Sequence, residues 1–264
     1  MVVHVHLITV GAGILSNYLR SRYVTSNDYR IINDDNELFK RASPSSELFR
    51  RVYHYLLTDP RSVSPELNAI WNYIMLDKVD EVYLYATNTG RGVFCSSILE
   101  KYFYDVVKIR VHKVIVKDFG LLFESGLINL LDKISSKIIE LKRNPNIKVY
   151  LNATGGFKPE NAILYTIASL LRIDEIYYIH ESFDQPVKLP VIPLSIDPSY
   201  YDILMEIYSN EIRHGFMLKS IFIENYGEDA LIHLKDWNLI YEEDGKVKLR
   251  RWTKSFLKMI KHLT

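Results

Sequence analysis

The sequence is poor in cysteine, in net charge and in long apolar runs. Its single cysteine, Cys95, rules out a disulfide within one chain and suggests a reducing compartment, so we expect a cytoplasmic protein. A formal net charge of +1 gives no global attraction for nucleic acid, so such a role would need a local basic patch. No apolar stretch reaches the roughly 20 residues that span a membrane, and we find neither a signal peptide nor a short-period repeat.

The chain has the composition of a globular protein, with 48% hydrophobic and 25% charged residues. Apolar runs typical of buried strands alternate with stretches of helical periodicity. Strands are predicted near residues 3–10, 29–32, 82–86, 106–116, 147–151 and 175–180. His4 and His6 alternate with apolar residues in the first strand, and we expect them to be solvated or at the core edge. This alternation predicts an α/β fold for residues 1–196, with a mostly parallel sheet and helices on both faces.

The composition changes near Asp197-Pro198, so residues 197–264 are predicted to form a small second domain. Helices there precede two short apolar runs joined at Glu242–Gly245, which resembles a winged helix-turn-helix. Basic residues outnumber acidic ones from Lys235 onward, which would favour contact with DNA phosphates. The presumed recognition helix, Glu228–Trp237, is acidic and has little arginine, so we favour a dimerisation or lid element over DNA binding.

Three connections that contain glycine follow predicted strands. Because the carboxyl ends of parallel strands share one edge of a sheet, we expect these connections to border one crevice. Backbone N–H groups and cations there would suit phosphates, and asparagine amides would suit nucleobase edges or sugar hydroxyls. The candidate ligand-binding residues are Gly11, Ala12, Gly13, Asn17, Asn88, Thr89, Gly90, Arg91, Thr154, Gly155, Gly156 and Phe157.

The third connection, Asn152–Glu160, has the most informative pattern. Its two glycines let the backbone turn sharply and approach a ligand. Pro159 suits the first position of a helix and biases Lys158 toward an extended backbone just outside it. A cation and free N–H groups beside a positive helix end would bind an anion such as phosphate. The alternative is that the glycines only allow close packing; with Thr154 and Lys158 on either side, we favour a ligand site.

Other motifs fit less well. Gly11-Ala12-Gly13, with Asp34 or Asp35 about 20 residues on, approximates a dinucleotide fingerprint, but Ser16 replaces its third glycine. A nicotinamide-dependent oxidoreductase is therefore a lower-ranked alternative. The chain lacks the G-K-[ST] of a P-loop, a G-x-S-x-G turn after a strand and any Cys/His zinc pattern, so we expect no metal and no other cofactor.

Two of the turns resemble the motifs of a known family. Thr9-Val10-Gly11 leading into Leu15-Ser16-Asn17 resembles the first motif of CRISPR-associated Rossmann-fold (CARF) domains, and Asn152–Lys158 resembles their second, a Thr-Gly-Gly-x-Lys turn. The resemblance implies a Rossmann-like sheet that binds cyclic oligoadenylate across the two-fold axis of a homodimer. Relatives with a C-terminal winged helix and no further catalytic domain look like ring nucleases. These open cyclic tetra-adenylate, without a metal, to linear di-adenylates ending in a 2′,3′-cyclic phosphate, and so switch off type III CRISPR signalling.

The resemblance also implies catalytic roles. Lys158 would be the cation at the scissile phosphate, which the tethered ribose 2′-hydroxyl attacks in line. The family's first turn commonly carries a hydroxyl residue directly after Val-Gly-x, and that position here is Gly13. Ser16, three residues on, is the candidate replacement. Without an effective hydroxyl the chain would bind the ring and cut it slowly, or only sense it, and a cyclic-oligoadenylate-sensing DNA-binding regulator is the main alternative.

Overall fold

The computed structural model describes residues 2–119, 122–156, 158–180 and 185–261, with the backbone alone for Phe123, Lys158 and Pro159. The chain divides into two compact units, Met1–Pro193 and Leu194–Thr264. The larger unit carries a six-stranded sheet and the smaller a three-stranded one. Within those described ranges no helix is both long and apolar enough to cross a membrane.

Six strands build the sheet of the larger unit. They are β1 (Val3–Thr9), β2 (Glu81–Thr87), β3 (Arg110–Val116), β4 (Ile147–Asn152), β5 (Glu175–Tyr178) and β6 (Val187–Leu189). Their order in the sheet is β3-β2-β1-β4-β5-β6. The first five strands pair in parallel, and β6 is an antiparallel edge strand. The predicted α/β fold with a mostly parallel sheet is confirmed.

The strand order reverses at β1. The chain extends the sheet on one side of β1 with β2 and β3, and then on the other side with β4 and β5. Thr9 pairs with Tyr85 of β2, and Ile8 pairs with Asn152 of β4, so the carboxyl ends of the three strands lie side by side. Connections that leave a sheet at such a reversal open a crevice in which α/β proteins bind ligands.

Along the chain, the helices of the larger unit lie between these strands. They are α1 (Gly13–Leu19), α2 (Ser26–Ile32), α3 (Asp35–Lys40), α4 (Glu47–Thr58), α5 (Pro60–Val63), α6 (Pro65–Met75), α7 (Gly90–Tyr102), α8 (Phe123–Lys142) and α9 (Lys158–Leu170). A π-helical turn, Phe103–Val107, follows α7. α7 packs on β2, and α8 packs on β3 and β4, so these helices cover parts of the sheet whose buried positions are mostly apolar.

The core includes one residue that the sequence placed elsewhere. Leu7 and Ile8 of β1 have no exposed surface, and neither has His6. The prediction of a solvated or core-edge histidine is therefore wrong for His6. Its ring nitrogens lie 2.9 Å from the Tyr177 hydroxyl and 2.8 Å from the Lys78 carbonyl oxygen, so burial leaves neither nitrogen without a partner.

The strand predicted at Tyr29–Ile32 is wrong, because these residues belong to α2. Thr25 and Asp28 form a capping box in which each side chain accepts the other's backbone N–H, both at 3.1 Å. Asp28 is buried and also binds the guanidinium of Arg51, which lies on α4. The cap and this ion pair stabilise the helix and outweigh the preference of the β-branched pair Ile31-Ile32 for a strand.

The smaller unit is helical with a short sheet. Its elements are α10 (Pro198–His214), β7 (Met217–Leu218), α11 (Lys219–Asp236), β8 (Ile240–Glu243), β9 (Lys246–Leu249) and α12 (Arg251–Ile260). The hairpin predicted at Glu242–Gly245 is present as β8 and β9, and β7 pairs with β9 on its other side. Gly227 interrupts α11 with φ 82° and ψ 164°, a conformation that favours glycine, so α11 consists of two helical halves.

Candidate functional site

The three glycine connections meet at one cavity of about 380 Å³ at the carboxyl edge of the large sheet. Each of β1, β2 and β4 contributes the residues that follow it, and α3 and the segment after β3 complete the wall. The lining residues are Val10, Gly11, Ala12, Asp35, Thr87, Thr89, Arg91, Gly92, Phe119 and Gly156. The convergence expected from the strand order is therefore found in the structure.

The turn after β4 packs directly on the end of β1. A Cβ atom built on Gly155 would lie 2.3 Å from the Thr9 carbonyl oxygen and 2.7 Å from the Gly11 nitrogen, so only glycine allows this approach. The Thr9 hydroxyl donates to the Gly155 carbonyl oxygen at 2.7 Å. Gly156 follows with φ +97° and lines the cavity. The first glycine is therefore needed for packing, and the second presents backbone to the cavity.

Asn152 and Thr154 fix the conformation of this turn. Asn152 is fully buried; its amide donates to the Glu66 carbonyl oxygen at 3.1 Å, and its side-chain oxygen accepts from the Thr154 N–H at 3.2 Å. The Thr154 hydroxyl accepts from the Ile179 N–H at 3.2 Å. Both polar side chains are therefore used to hold the backbone, and Thr154 does not line the cavity.

Glu66, at the start of α6, supports the turn after β1. Its carboxylate is buried and accepts from the Gly11 N–H at 2.8 Å and from the Ser64 hydroxyl at 2.8 Å. Burial raises the pKa of Glu66, and the hydrogen bond from Gly11 opposes that rise. One residue thus contacts both halves of the site, since its own carbonyl binds Asn152. Sequence reasoning missed this role, because Ser64-Pro65-Glu66 has the pattern of any helix start.

The turn after β2 leads into α7. The Thr89 hydroxyl caps this helix by accepting from the Gly92 N–H at 3.1 Å. Asp35, at the first position of α3, accepts from the N–H groups of Gly90 at 2.8 Å and Arg91 at 3.3 Å. Arg91 lines the cavity, and its guanidinium donates to the Asn33 side-chain oxygen at 3.2 Å. Asn88 is exposed and does not line the cavity.

Ser16 and Asn17 lie on α1, away from the cavity lining. Ser16 is exposed. The Asn17 amide donates to the carbonyl oxygens of Ser62 at 3.2 Å and Val63 at 3.0 Å, so it ties α1 to α5. Of the predicted binding residues in the first turn, Gly11 and Ala12 line the cavity.

The structure gives a steric reason for Gly13, the departure from the family's hydroxyl position. A Cβ atom built there would lie 2.7 Å from Cδ and 2.8 Å from Cγ of Pro65. A proline ring cannot rotate away as a flexible side chain would, so serine or threonine at this position would require the start of α6 to move. Glycine at position 13 is therefore compatible with Pro65, whereas the substitution Gly13→Ser would bring its Cβ atom into the proline ring.

Two predicted residues lie at the limit of what the structure describes. Phe157 falls outside the described residues, and so does the side chain of Lys158. The backbone of Lys158 begins α9, two positions after the cavity-lining Gly156. The described part of the chain contains no cluster of three or more His, Cys, Asp or Glu side chains that could hold a metal ion.

Comparison with known proteins identifies the family of this chain. The family model described as CRISPR-associated protein (Cas_APE2256) matches residues 61–192, which is half of the chain and contains the second and third glycine connections. A solved structure, Enterococcus italicus Csm6 bound to cyclic hexa-2′-fluoro-hexa-dAMP, aligns with 12% sequence identity and a TM-score of 0.41, covering 99% of this chain and 53% of that one. This chain thus spans about half the length of that protein. It belongs to the Cas_APE2256 family of CRISPR-associated proteins, and its recognition as a CARF-domain protein is confirmed.

Proposed function

We propose that this chain binds cyclic tetra-adenylate in the cavity at the carboxyl ends of β1, β2 and β4, and opens the ring without a metal. The observation that carries the proposal is the convergence of three glycine connections on one cavity, in a CRISPR-associated chain whose turns resemble CARF motifs. Such a protein would lower the concentration of the messenger and switch off type III CRISPR signalling.

The ring has rotational symmetry, which favours a homodimer as the binding species. Two copies of the chain related by a two-fold axis would present two identical cavities to opposite halves of one cyclic tetranucleotide. Each copy would then hold one of the two phosphates to be cut. Cleavage at both would yield two linear di-adenylates.

The reaction needs little besides geometry and charge. The ribose 2′-oxygen forms a bond to the adjacent phosphorus, the bond from phosphorus to the 5′-oxygen breaks, and the proton lost by the 2′-hydroxyl is balanced by one gained at the 5′-oxygen. Holding the tethered 2′-hydroxyl in line supplies much of the acceleration. Donors aimed at the phosphate oxygens stabilise the charge that develops, and the Lys158 ammonium and the backbone of Gly155 and Gly156 are the groups proposed for this task.

The N–H groups of the second turn support this assignment. Among the described residues, neither the Gly155 N–H nor the Gly156 N–H has a hydrogen-bond acceptor, whereas the Thr154 N–H is already bound to Asn152. The Thr9 hydroxyl holds the Gly155 carbonyl oxygen toward β1. Of these two glycines, Gly156 lines the cavity, and its N–H next to the start of a 13-residue helix makes this end of the cavity suited to a phosphate.

The decisive experiment incubates the purified chain with cyclic tetra-adenylate, with and without EDTA. Linear di-adenylate with a 2′,3′-cyclic phosphate that still forms in EDTA supports the proposed reaction. Intact ring bound tightly would instead identify a sensor. Absence of binding would reject both functions.

Lys158→Ala is expected to reduce the rate of ring opening by about 100-fold or more, the usual effect of removing one group that stabilises a developing oxyanion. Lys101→Ala is the matched control, because Lys101 lies in the last turn of α7 and pairs with Asp105, away from the cavity. The measurement is single-turnover cleavage followed by separation of the products. A wild-type rate in Lys158→Ala would remove the lysine from the mechanism.

Binding without cleavage is the second candidate, and the contact between Gly13 and Pro65 favours it. That contact leaves the first turn without the hydroxyl that the family commonly has there. Ser16, the proposed replacement, is exposed on α1. Ser16→Ala separates the candidates further: a chain that cuts with Ser16 would lose most of its rate, whereas a sensor would keep its affinity.

A further inference from the structure

Asp35 places a carboxylate on the wall of the cavity at a position where a phosphate would otherwise fit. Its two oxygens accept from the N–H groups of Gly90 and Arg91, the first two residues of α7. N–H groups at the start of a helix are common phosphate ligands. Here they are already occupied by an anion of the protein itself.

The negative charge of Asp35 is not neutralised by a nearby ion pair. Within the described residues Asp35 makes no salt bridge, and the Arg91 guanidinium donates to Asn33. Asp35 is exposed and lines the cavity, so a bound ligand can reach it. Each carboxylate oxygen has two acceptor sites, and one hydrogen bond to each leaves capacity for a further donor.

The two ends of the cavity therefore offer different hydrogen-bonding groups. At the β4 end, the N–H of the cavity-lining Gly156 has no acceptor among the described residues. At the α7 end, the Asp35 carboxylate attracts hydrogen-bond donors, and it stands beside Arg91, a cationic lining residue whose guanidinium donates to Asn33. A nucleotide of RNA offers such donors in its ribose 2′-hydroxyl and, when the base is adenine, in its exocyclic amine.

We propose that Asp35 is a specificity-determining residue that accepts a hydrogen bond from a ribose hydroxyl or an adenine amine of the bound ring. This inference rests on the proposed function of the same cavity. It orients the ligand, because a hydrogen-bond donor of the ring would be held at the start of α7 while the turn after β4 offers an N–H group to a phosphate. The carboxylate selects between ligands and takes no part in bond breaking.

The test combines protein variants with ligand analogues. Wild type, Asp35→Asn and Asp34→Asn are each titrated with cyclic tetra-adenylate, its 2′-deoxy counterpart and cyclic tetra-inosinate, which replaces the amine by a carbonyl. Stopped-flow association and dissociation rates give the affinities before turnover. Asp34 is the matched control, because it caps α3 by accepting from the Glu37 N–H and does not line the cavity.

Wild type is expected to prefer cyclic tetra-adenylate over one of the analogues by at least about ten-fold, as for a hydrogen bond to a charged group. Asp35→Asn should reduce that preference to within about three-fold, and Asp34→Asn should retain it. The analogue that shows the effect identifies the donor. The inference is overturned if Asp35→Asn weakens all three rings equally, because that is the result of a purely structural cap, or if it changes no preference.

Two further results keep the interpretation clear. If Asp35→Asn lowers the unfolding temperature strongly, Asp35→Ser replaces it, since serine keeps an oxygen for the helix N–H groups without the charge. If wild type binds none of the rings, the proposed function fails and this inference fails with it. If wild type binds them and Asp35 shows no selective effect, only the inference fails.

Discussion

Gly155→Ala should destabilise the larger unit more than any other glycine-to-alanine change in the turn after β4. The new methyl carbon would lie 2.3 Å from the Thr9 carbonyl oxygen, 2.7 Å from the Gly11 nitrogen and 2.9 Å from the Thr9 carbonyl carbon. All three atoms are backbone, so no side-chain rotation can relieve the overlap. We expect a loss of about 3 kcal/mol, the upper part of the range for overpacking. That is a large share of the roughly 5–15 kcal/mol that stabilises a typical domain.

Gly11→Ala is the matched control across the same contact. A Cβ atom there would lie 3.5 Å from Glu66 Oε1, 3.6 Å from the Gly155 Cα and 3.7 Å from the Gly156 nitrogen, all ordinary van der Waals distances. Gly11 is not among the positive-φ glycines, so alanine is compatible with its backbone. Its expected effect lies between no change and a stabilisation of about 1 kcal/mol, from the lower entropy of the unfolded chain.

Urea unfolding of the larger unit measures both variants. The chain has three tryptophans, and Trp71 is the one in the larger unit. Replacing Trp237 and Trp252 by phenylalanine in every protein leaves Trp71 on α6 as the fluorescence reporter. A Gly155→Ala variant within about 0.5 kcal/mol of its parent would refute the packing argument, since that is the usual range for surface substitutions.

Two buried titratable groups give opposite pH dependences. Burial lowers the pKa of His6 from 6.5 to about 3. As the pH falls from 6.5 to 3, the free energy of unfolding of wild type should therefore drop by on the order of 4 kcal/mol relative to that of His6→Gln. Parallel acid-denaturation curves for the two proteins would contradict this. Burial raises the pKa of Glu66 above 4.5, so Glu66→Gln should gain stability over wild type as the pH rises from 4.5, and then level off. A gain that instead grows toward low pH would contradict the raised pKa. Because glutamine can still accept from the Gly11 N–H, Glu66→Ala should be the more destabilised variant at every pH.

Local sequence patterns determined the strands and the edge where the site lies. In β1, β2 and β4 apolar positions predominate over six or seven residues, and this pattern predicts a strand for each of them. Each is followed by glycine, and parallel strands bring such connections to one edge. The cavity was therefore predictable in its position, although the sequence placed Asn17 and Ser16 nearer to it than the structure does.

Short elements without long patterns were less predictable. Ile31-Ile32 has the composition of a strand, and the helix there depends on the cap between Thr25 and Asp28 and on Arg51, which lies 23 residues beyond Asp28 in the chain. Similarly, β7 has two residues and exists because β9 pairs with it. In both places a partner from elsewhere in the chain outweighs the local preference.

By itself, the sequence determined that the chain forms a parallel α/β unit with glycine turns at one edge, and that two of these turns resemble CARF motifs. Tertiary structure alone decided which groups those turns meet. Glu66 binds Gly11, Pro65 excludes a side chain at Gly13, and Asp35 occupies the start of α7. Each contact joins residues that are distant in the chain, and a local pattern cannot specify it because helix packing brings them together. The position of the glycine turns could therefore be predicted from the sequence, whereas the contacts that Glu66 and Asp35 make with them could not.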